Sequence, residues 1–372
     1  MMERRQIVNL WRRSGGTVLV TLVRTEGSSY RRPGARLLIG AGEYAGTISG
    51  GCLEGEVVRK AAWMVRDGAV VETYSTMFDD TAEIPFGLGC GGVVDLLLEP
   101  METAEAEALM AALAASLAGE TVTVLTWLPR VGRGLARAVL AASTDFAFAS
   151  DALSEEELVA ARAAVLGRRG AAALADGIYV ERLVPPQRVF VLGAGDDAKP
   201  LVKMAALLGW NVTVADGRAQ LARNERFVEA ERVVVAGSAA ELGIEAGDVV
   251  VLMSHSYEQD RAMLAAVLPL QPRYLGVLGA RHRSSLLVSE AAAMIGLTVE
   301  ECCVRVFAPV GLDLGGDGPE AIALAVIAEV QACVQGKLGA SRRLSAEDVA
   351  RHLKEGGSSR YLAVHCALDG AL

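Results

Sequence analysis

Aromatic residues and histidines are scarce in this sequence of 372 residues: Phe, Trp and Tyr together make 5%, and there are four His. With a net charge of −9, the chain lacks both the basic surface and the stacking platforms that nucleic-acid binding needs, so nucleic acid is not an expected partner. Cysteine is sparse and unpatterned: the six residues stand at 52, 90, 302, 303, 333 and 366, with no CxxC pair and no compact disulfide framework. Reduced thiols are expected, and no zinc site is visible. Long apolar runs are missing too. Hydrophobic residues make up 52% and mean hydropathy is +0.33, yet no uncharged stretch approaches the ~18 residues a membrane helix requires. The N-terminus enters an amphipathic pattern directly, without a long apolar region or a small-residue cleavage site, which predicts a cytoplasmic protein with no membrane span.

Glycine, with 40 residues, is plentiful, and it frames two of the cysteines. In Gly46-Thr47-Ile48-Ser49-Gly50-Gly51-Cys52-Leu53-Glu54-Gly55-Glu56-Val57 a β-favouring run ends at Ser49, two glycines turn the chain, and a helix-compatible run follows. Cys52 is therefore expected at or near a helix N-terminus, where unpaired N–H groups and the helix dipole favour a thiolate and any anion beside it. Gly50 and Gly51 leave the sulfur open to close approach. Gly87-Leu88-Gly89-Cys90-Gly91-Gly92 repeats the arrangement just before a strand pattern at 93–98. Two thiols framed by Gly50, Gly51, Gly89 and Gly91 suggest a soft-ligand or sulfur-handling site, with Cys52 and Cys90 as metal-ligating candidates. The bland alternative is a pair of buried small hydrophobes beside turn glycines. Cys302, Cys303, Cys333 and Cys366 lack such a frame and are expected to be dispensable.

The length predicts roughly two domains. Residues 1–184 read as mixed α/β: an N-terminal helix ended by Gly15-Gly16, strands at 17–23, 35–39, 43–48, 70–76 and 93–99, then a helix at 104–117, strands at 121–128, 134–141 and 144–149, a helix at 154–166 and a strand at 177–184. The turn-rich Thr25–Gly34 loop carries hydroxyls and the adjacent Arg31 and Arg32, which could hold a phosphate or simply solvate a hairpin. After Pro185-Pro186 the pattern becomes a regular βαβ series, with strands at 188–192, 211–215, 232–236, 247–253 and 274–278, as in a doubly wound parallel sheet over 188–336. A largely buried helix is expected at 319–334, and 337–372 reads as a tail with one amphipathic helix near 345–354.

The first turn of that series, Gly193-Ala194-Gly195-Asp196-Asp197-Ala198, is a G-x-G-x-x-A fingerprint, and the second strand ends at Asp216, 23 residues after Gly193, where a carboxylate can accept from a ribose. Asp196 and Asp197 oppose a phosphate at the helix start unless they point away, and Arg218 could meet a 2′-phosphate, so NAD and NADP both remain open. His255 and Arg281 follow the fourth and fifth strands at the edge where ligands collect.

With Gly27–Ala35, the two glycine-framed cysteines and the fingerprint in hand, the chain resembles the XdhC/CoxI family, accessory proteins of molybdenum hydroxylases such as xanthine dehydrogenase. The likeness continues through Asp216-Gly217-Arg218, Met253-Ser254-His255, Leu278-Gly279-Ala280-Arg281 and Gly311-Leu312-Asp313-Leu314-Gly315, and covers residues 1 to about 336. It implies an XdhC-type cofactor-handling domain followed by a Rossmann-like domain. It further implies a chaperone that binds molybdenum cofactor, holds it for sulfuration by a cysteine desulfurase and delivers it to an apo molybdenum hydroxylase. On this reading Cys52, Cys90 and the glycine turns, with Arg31, Arg32 and Arg36, would suit a pterin dithiolene, a molybdenum centre and a phosphate.

A rival reading is an NAD(P)-dependent oxidoreductase using the same Rossmann domain, for which His255 and Tyr257 would have to serve, although no Tyr-x-x-x-Lys pairing is present. A third is a redox sensor in which Cys52 reports oxidation and the nucleotide domain reports the pyridine-nucleotide ratio. The apolar composition also predicts a homodimer.

Overall fold

The computed structural model describes residues 1–51, 53–75, 92–141, 145–166 and 172–339. The first half opens with α1 (Met2–Ser14), β1 (Val18–Gly27), β2 (Arg36–Ile39), β3 (Tyr44–Gly46), α2 (Glu54–Met64), β4 (Val70–Ser75) and β5 (Gly92–Pro100). These strands form one antiparallel sheet in the order β3-β2-β1-β5-β4, with β1 at its centre. There follow α3 (Ala104–Leu117), β6 (Val122–Trp127), β7 (Ala136–Leu140), β8 (Phe146–Ala149), α4 (Glu155–Leu166), β9 (Ala172–Ala175) and β10 (Ile178–Leu183). They make a second antiparallel sheet, β8-β7-β6-β10-β9.

The two-residue side-chain period sorts the cores. Val18, Val20 and Leu22 point to one face of the first sheet and pack with Val57, Ala61 and Val65 of α2 and its C-cap. Leu19 and Val23 point to the other face, where α1, α3 and the second sheet close the layer. That inner layer also buries charge. Arg137 of β7 donates to both carboxylate oxygens of Glu99 at 2.8 and 3.1 Å, and Arg36 of β2 makes a bidentate pair with Glu181 of β10. The β9 strand, Ala-Ala-Leu-Ala, was not expected, since it has no β-branched or aromatic residue; pairing with β10 at the sheet edge creates it.

The second half contains β11 (Arg188–Leu192), α5 (Ala198–Leu207), β12 (Asn211–Asp216), β13 (Arg232–Val235), β14 (Val249–Leu252), α6 (Tyr257–Val267), β15 (Tyr274–Val277), α7 (Arg281–Ile295), α8 (Val299–Cys303) and α9 (Pro319–Val334). All five strands are parallel, in the order β13-β12-β11-β14-β15. One face packs on α5 and α9, the other on α6 and α7, so the sheet is doubly wound as expected. Burial on both faces explains the continuous apolar runs of β11 and β14. In α9 the face carrying Ala323, Val326, Ile327 and Val330 is buried, whereas Leu324 on the same helix is 53% exposed. The helix expected near 345–354 lies outside the described residues.

The halves meet at the amino edge of the parallel sheet. The chain adopts φ +75° at Gly209, where a Cβ would fall 2.5 Å from that of Met1, and Arg5 of α1 hydrogen-bonds Asn211 at the start of β12. The carboxyl edge of the sheet is on the opposite side.

Candidate functional site

Three glycine-rich segments meet at one end of the first sheet. Gly27, the last residue of β1, pairs with Gly92, the first of β5. A Cβ at Gly92 would lie 2.2 Å from the Ser28 carbonyl oxygen, so only glycine lets the strand meet the 28–34 loop this closely. From the other direction, Gly50 packs against the same loop: the Tyr30 ring lies 3.8 Å from the position a Gly50 Cβ would take, and Tyr30 is 73% exposed. Thus Gly50, two residues before Cys52, and Gly92, two residues after Cys90, both lie beside the 27–34 loop. Cys52, Gly89, Cys90 and Gly91 themselves lie outside the described residues.

The turn before α2 is tightly wired. Glu54, in the first turn of α2 and 5% exposed, accepts from the backbone N–H of Ile48 at 3.1 Å and of Ser49 at 2.8 Å, and from the Ser49 hydroxyl. The Ser49 oxygen in turn accepts from the N–H groups of Gly51 and Leu53, both at 3.2 Å. Burial would raise the Glu54 carboxyl pKa, but these hydrogen bonds outweigh it and hold the group below its usual range. Gly51 has φ +105°, a conformation glycine adopts without strain. The helix starts at Glu54 with Leu53 as N-cap, so position 52 precedes the cap, and its dipole is already met by Glu54 and Glu56.

The arginines of this end divide by partner. Arg31 pairs with Glu3 of α1. Arg32 is exposed. Arg36, named with them as a phosphate-holding candidate, is instead buried between the sheets against Glu181, where no phosphate reaches it.

A second group of expected residues gathers at the carboxyl edge of the parallel sheet. Gly193 has φ +131°, and a Cβ there would fall 2.4 Å from the Met253 carbonyl oxygen, which fixes glycine at the fingerprint turn. Asp216 is buried and accepts four hydrogen bonds: the Ala194 N–H at 2.8 Å, the Arg218 N–H and Nε both at 2.9 Å, and Arg218 Nη2 at 2.8 Å. Burial pushes the Asp216 carboxyl upward, and the bonds from Arg218 and Ala194 more than reverse it, so its pKa is lowered. A carboxylate offers about four acceptor positions, and a ribose hydroxyl would have to displace Arg218.

The two fingerprint carboxylates are turned onto cations. Asp196 meets Lys199 at 2.7 Å and Arg226 at 2.9 Å, while Asp197 Oδ2 lies 2.7 Å from His255 Nε2. His255 takes φ +60°, uncommon for a residue with a side chain, between Ser254, anchored to Asp260, and Ser256, the N-cap of α6. A cleft of about 740 Å³ opens beside the pair, lined by Gly195, Asp197, His255, Gly279, Pro309 and Asp317 among others. Arg281 stands exposed at the start of α7 on this edge. Among the described residues, no group of three or more His, Cys, Asp or Glu is disposed to hold a metal ion.

Sequence reasoning missed Glu54 as the organiser of the cysteine turn, Tyr30 as its exposed neighbour and Asp197 as the partner of His255. An acidic residue three positions after Ser-Gly-Gly was the available signal for the first. Of the unframed cysteines, Cys302 is buried in the apolar core, which raises its thiol pKa, and Cys333 is half-buried.

Comparison with known proteins matches the family model described as the XdhC Rossmann domain to residues 189–330, and that of the XdhC and CoxI family to residues 10–75. A Bacillus subtilis protein named as a probable subunit of xanthine dehydrogenase is 25% identical over 318 residues, which span 84% of this chain and 92% of that protein. The molybdenum cofactor insertion chaperone PaoD of Escherichia coli is 24% identical over 320 residues, 85% of this chain and 82% of its own. A crystal structure described as a xanthine dehydrogenase from Bacillus halodurans superposes with a TM-score of 0.75 at 23% identity, covering 94% of this chain and 99% of the other, and so shares the fold. Among the described residues, no helix is long and apolar enough to cross a membrane.

Proposed function

The chain belongs to the XdhC and CoxI family, and on that premise we propose that it is an accessory chaperone that binds molybdenum cofactor as cargo, keeps it for sulfuration by a cysteine desulfurase and passes it to an apo molybdenum hydroxylase. The observation that carries the proposal is the meeting of the 27–34 loop, the Ser49–Gly51 turn and Gly92 at one end of the first sheet, where both cysteine segments attach. The cargo is a pterin dithiolene with a soft metal centre and a phosphate. It calls for thiolates, backbone donors and a cation; this end offers glycine turns open to close approach and the exposed Arg32, and Cys52 and Cys90 are the thiols we assign to it from the sequence.

In this proposal residues 1–184 handle the cofactor, 188–336 form the Rossmann half, 337–372 are a tail and the protein works as a homodimer. For NAD(P) to bind the carboxyl edge through Asp216 in this arrangement, a ribose hydroxyl would have to displace Arg218, because the carboxylate already accepts from Arg218 and Ala194. The oxidoreductase and redox-sensor readings therefore gain no support from that edge.

The test is cargo retention. Protein isolated from cells that make the cofactor should release a fluorescent pterin after oxidation. Cys52→Ala and Cys90→Ala should lose it, and with it the ability to activate an apo-hydroxylase, while their circular dichroism stays unchanged. Cys333→Ala should retain both. Equal retention by wild type and Cys52→Ala would sink the assignment.

A further inference from the structure

Glu54 differs from the other carboxylates buried in the first half. Glu99 and Glu181 each face an arginine, whereas among the described residues no Lys, Arg or His pairs with Glu54. A buried charge is costly unless it is hydrogen-bonded, and here the donors come from five and six positions upstream, the N–H groups of Ser49 and Ile48, together with the Ser49 hydroxyl. The carboxylate therefore reaches back to hold the turn. Its consequence is directional: the Ser49 hydroxyl, which donates its one proton to Glu54, is left with its lone pairs facing the N–H groups of Gly51 and Leu53. The residues on both sides of position 52 are thereby tied to one oriented oxygen.

We propose that Glu54 is a positioning residue for Cys52, acting through Ser49. The inference rests on the reading of Cys52 as the cargo-binding thiol, and it names the device that presents that thiol. Glu54 is buried and its oxygens are taken up by Ile48 and Ser49, so it acts on the turn rather than on cargo. It sets the turn, and its fixed negative charge two positions from the sulfur also sets how readily the thiol ionises.

Three measurements on the full-length protein test this: pterin retained after gel filtration, the rate of Cys52 alkylation by iodoacetamide mapped by mass spectrometry, and the thermal midpoint. Glu54→Gln and Ser49→Ala should each lower cargo retention about tenfold, the usual cost of removing a supporting hydrogen bond around a ligand site. Ser49→Thr, which keeps the hydroxyl, should restore it. Both losing variants should alkylate faster at neutral pH, Glu54→Gln by about threefold from the lost charge alone. Glu99→Gln serves as the control for mere destabilisation and should lower the thermal midpoint with the other two readouts at wild-type values. Wild-type retention in Ser49→Ala, when Cys52→Ala has lost its cargo, would overturn the inference. If Cys52→Ala keeps its cargo, the functional reading fails and alkylation decides: unchanged rates in both Ser49→Ala and Glu54→Gln overturn the positioning role, and raised rates uphold it.

Discussion

Replacing Arg218 with methionine would probe how the fingerprint turn of the parallel sheet is held. The guanidinium supplies Asp216 with two of its four hydrogen bonds and also donates to the Ser254 carbonyl at 3.1 Å, bridging the ends of β12 and β14. Arg218→Met leaves Asp216 with two backbone donors, Ala194 N–H and the N–H of residue 218 itself, so the carboxylate keeps half of its partners. The cost should fall below the ~3–5 kcal/mol of stranding a buried ion. About 2 kcal/mol is the working value, since the Arg218 side chain is 37% exposed and water screens part of the attraction. Hydrogen–deuterium exchange of the 189–198 segment reads this locally, and about 2 kcal/mol corresponds to roughly 30-fold faster exchange.

The acid limb gives an independent check. The Asp216 pKa is lowered in the folded protein, so its contribution is fully present above the usual aspartate pKa of about 3.9 and is lost as pH falls through the lower folded value. In Arg218→Met that loss should begin at higher pH, and the gap between variant and wild type should be widest near neutrality and close under strong acid. Wild-type exchange of 189–198 in the variant would show that the ion pair does not hold the turn.

The remaining expectations are structural. Arg137→Met should cost about 3–5 kcal/mol by leaving Glu99 buried without its cation, and the double variant Arg137→Met/Glu99→Leu should recover most of it in urea denaturation, because two apolar side chains replace the pair without stranding a charge. Single and double variants of equal stability would refute this. Gly193→Ala should destabilise the second half by about 1–3 kcal/mol, from φ +131° and the 2.4 Å approach to the Met253 carbonyl, while the antiparallel sheets keep their exchange protection. An unchanged thermal profile would contradict it.

Periodicity alone determined most of the second half. Continuous apolar runs at 189–192 and 249–252, separated by helix-length segments, leave few alternatives to a parallel sheet buried on both faces, and the glycine fingerprint marks its first turn. The two glycine-framed cysteines were equally visible as a pattern, since glycine beside a reactive residue type is a local signal. Partnership is a different kind of fact. That Arg36 lies buried against Glu181, 145 positions away, while Arg32 stays exposed, follows from where each lands once two sheets have packed, Arg36 on β2 between them and Arg32 in the loop before it, and no local window holds that information. The same applies to Asp216, whose apparent vacancy for a ribose vanishes when Arg218 folds back onto it, and to Asp197, which meets His255 across 58 positions. Sequence sets which side chains can carry charge, sulfur or a tight turn. Tertiary packing alone sets which of them are left facing solvent and which have already spent their hydrogen bonds on each other, because that depends on distances between residues remote in the chain.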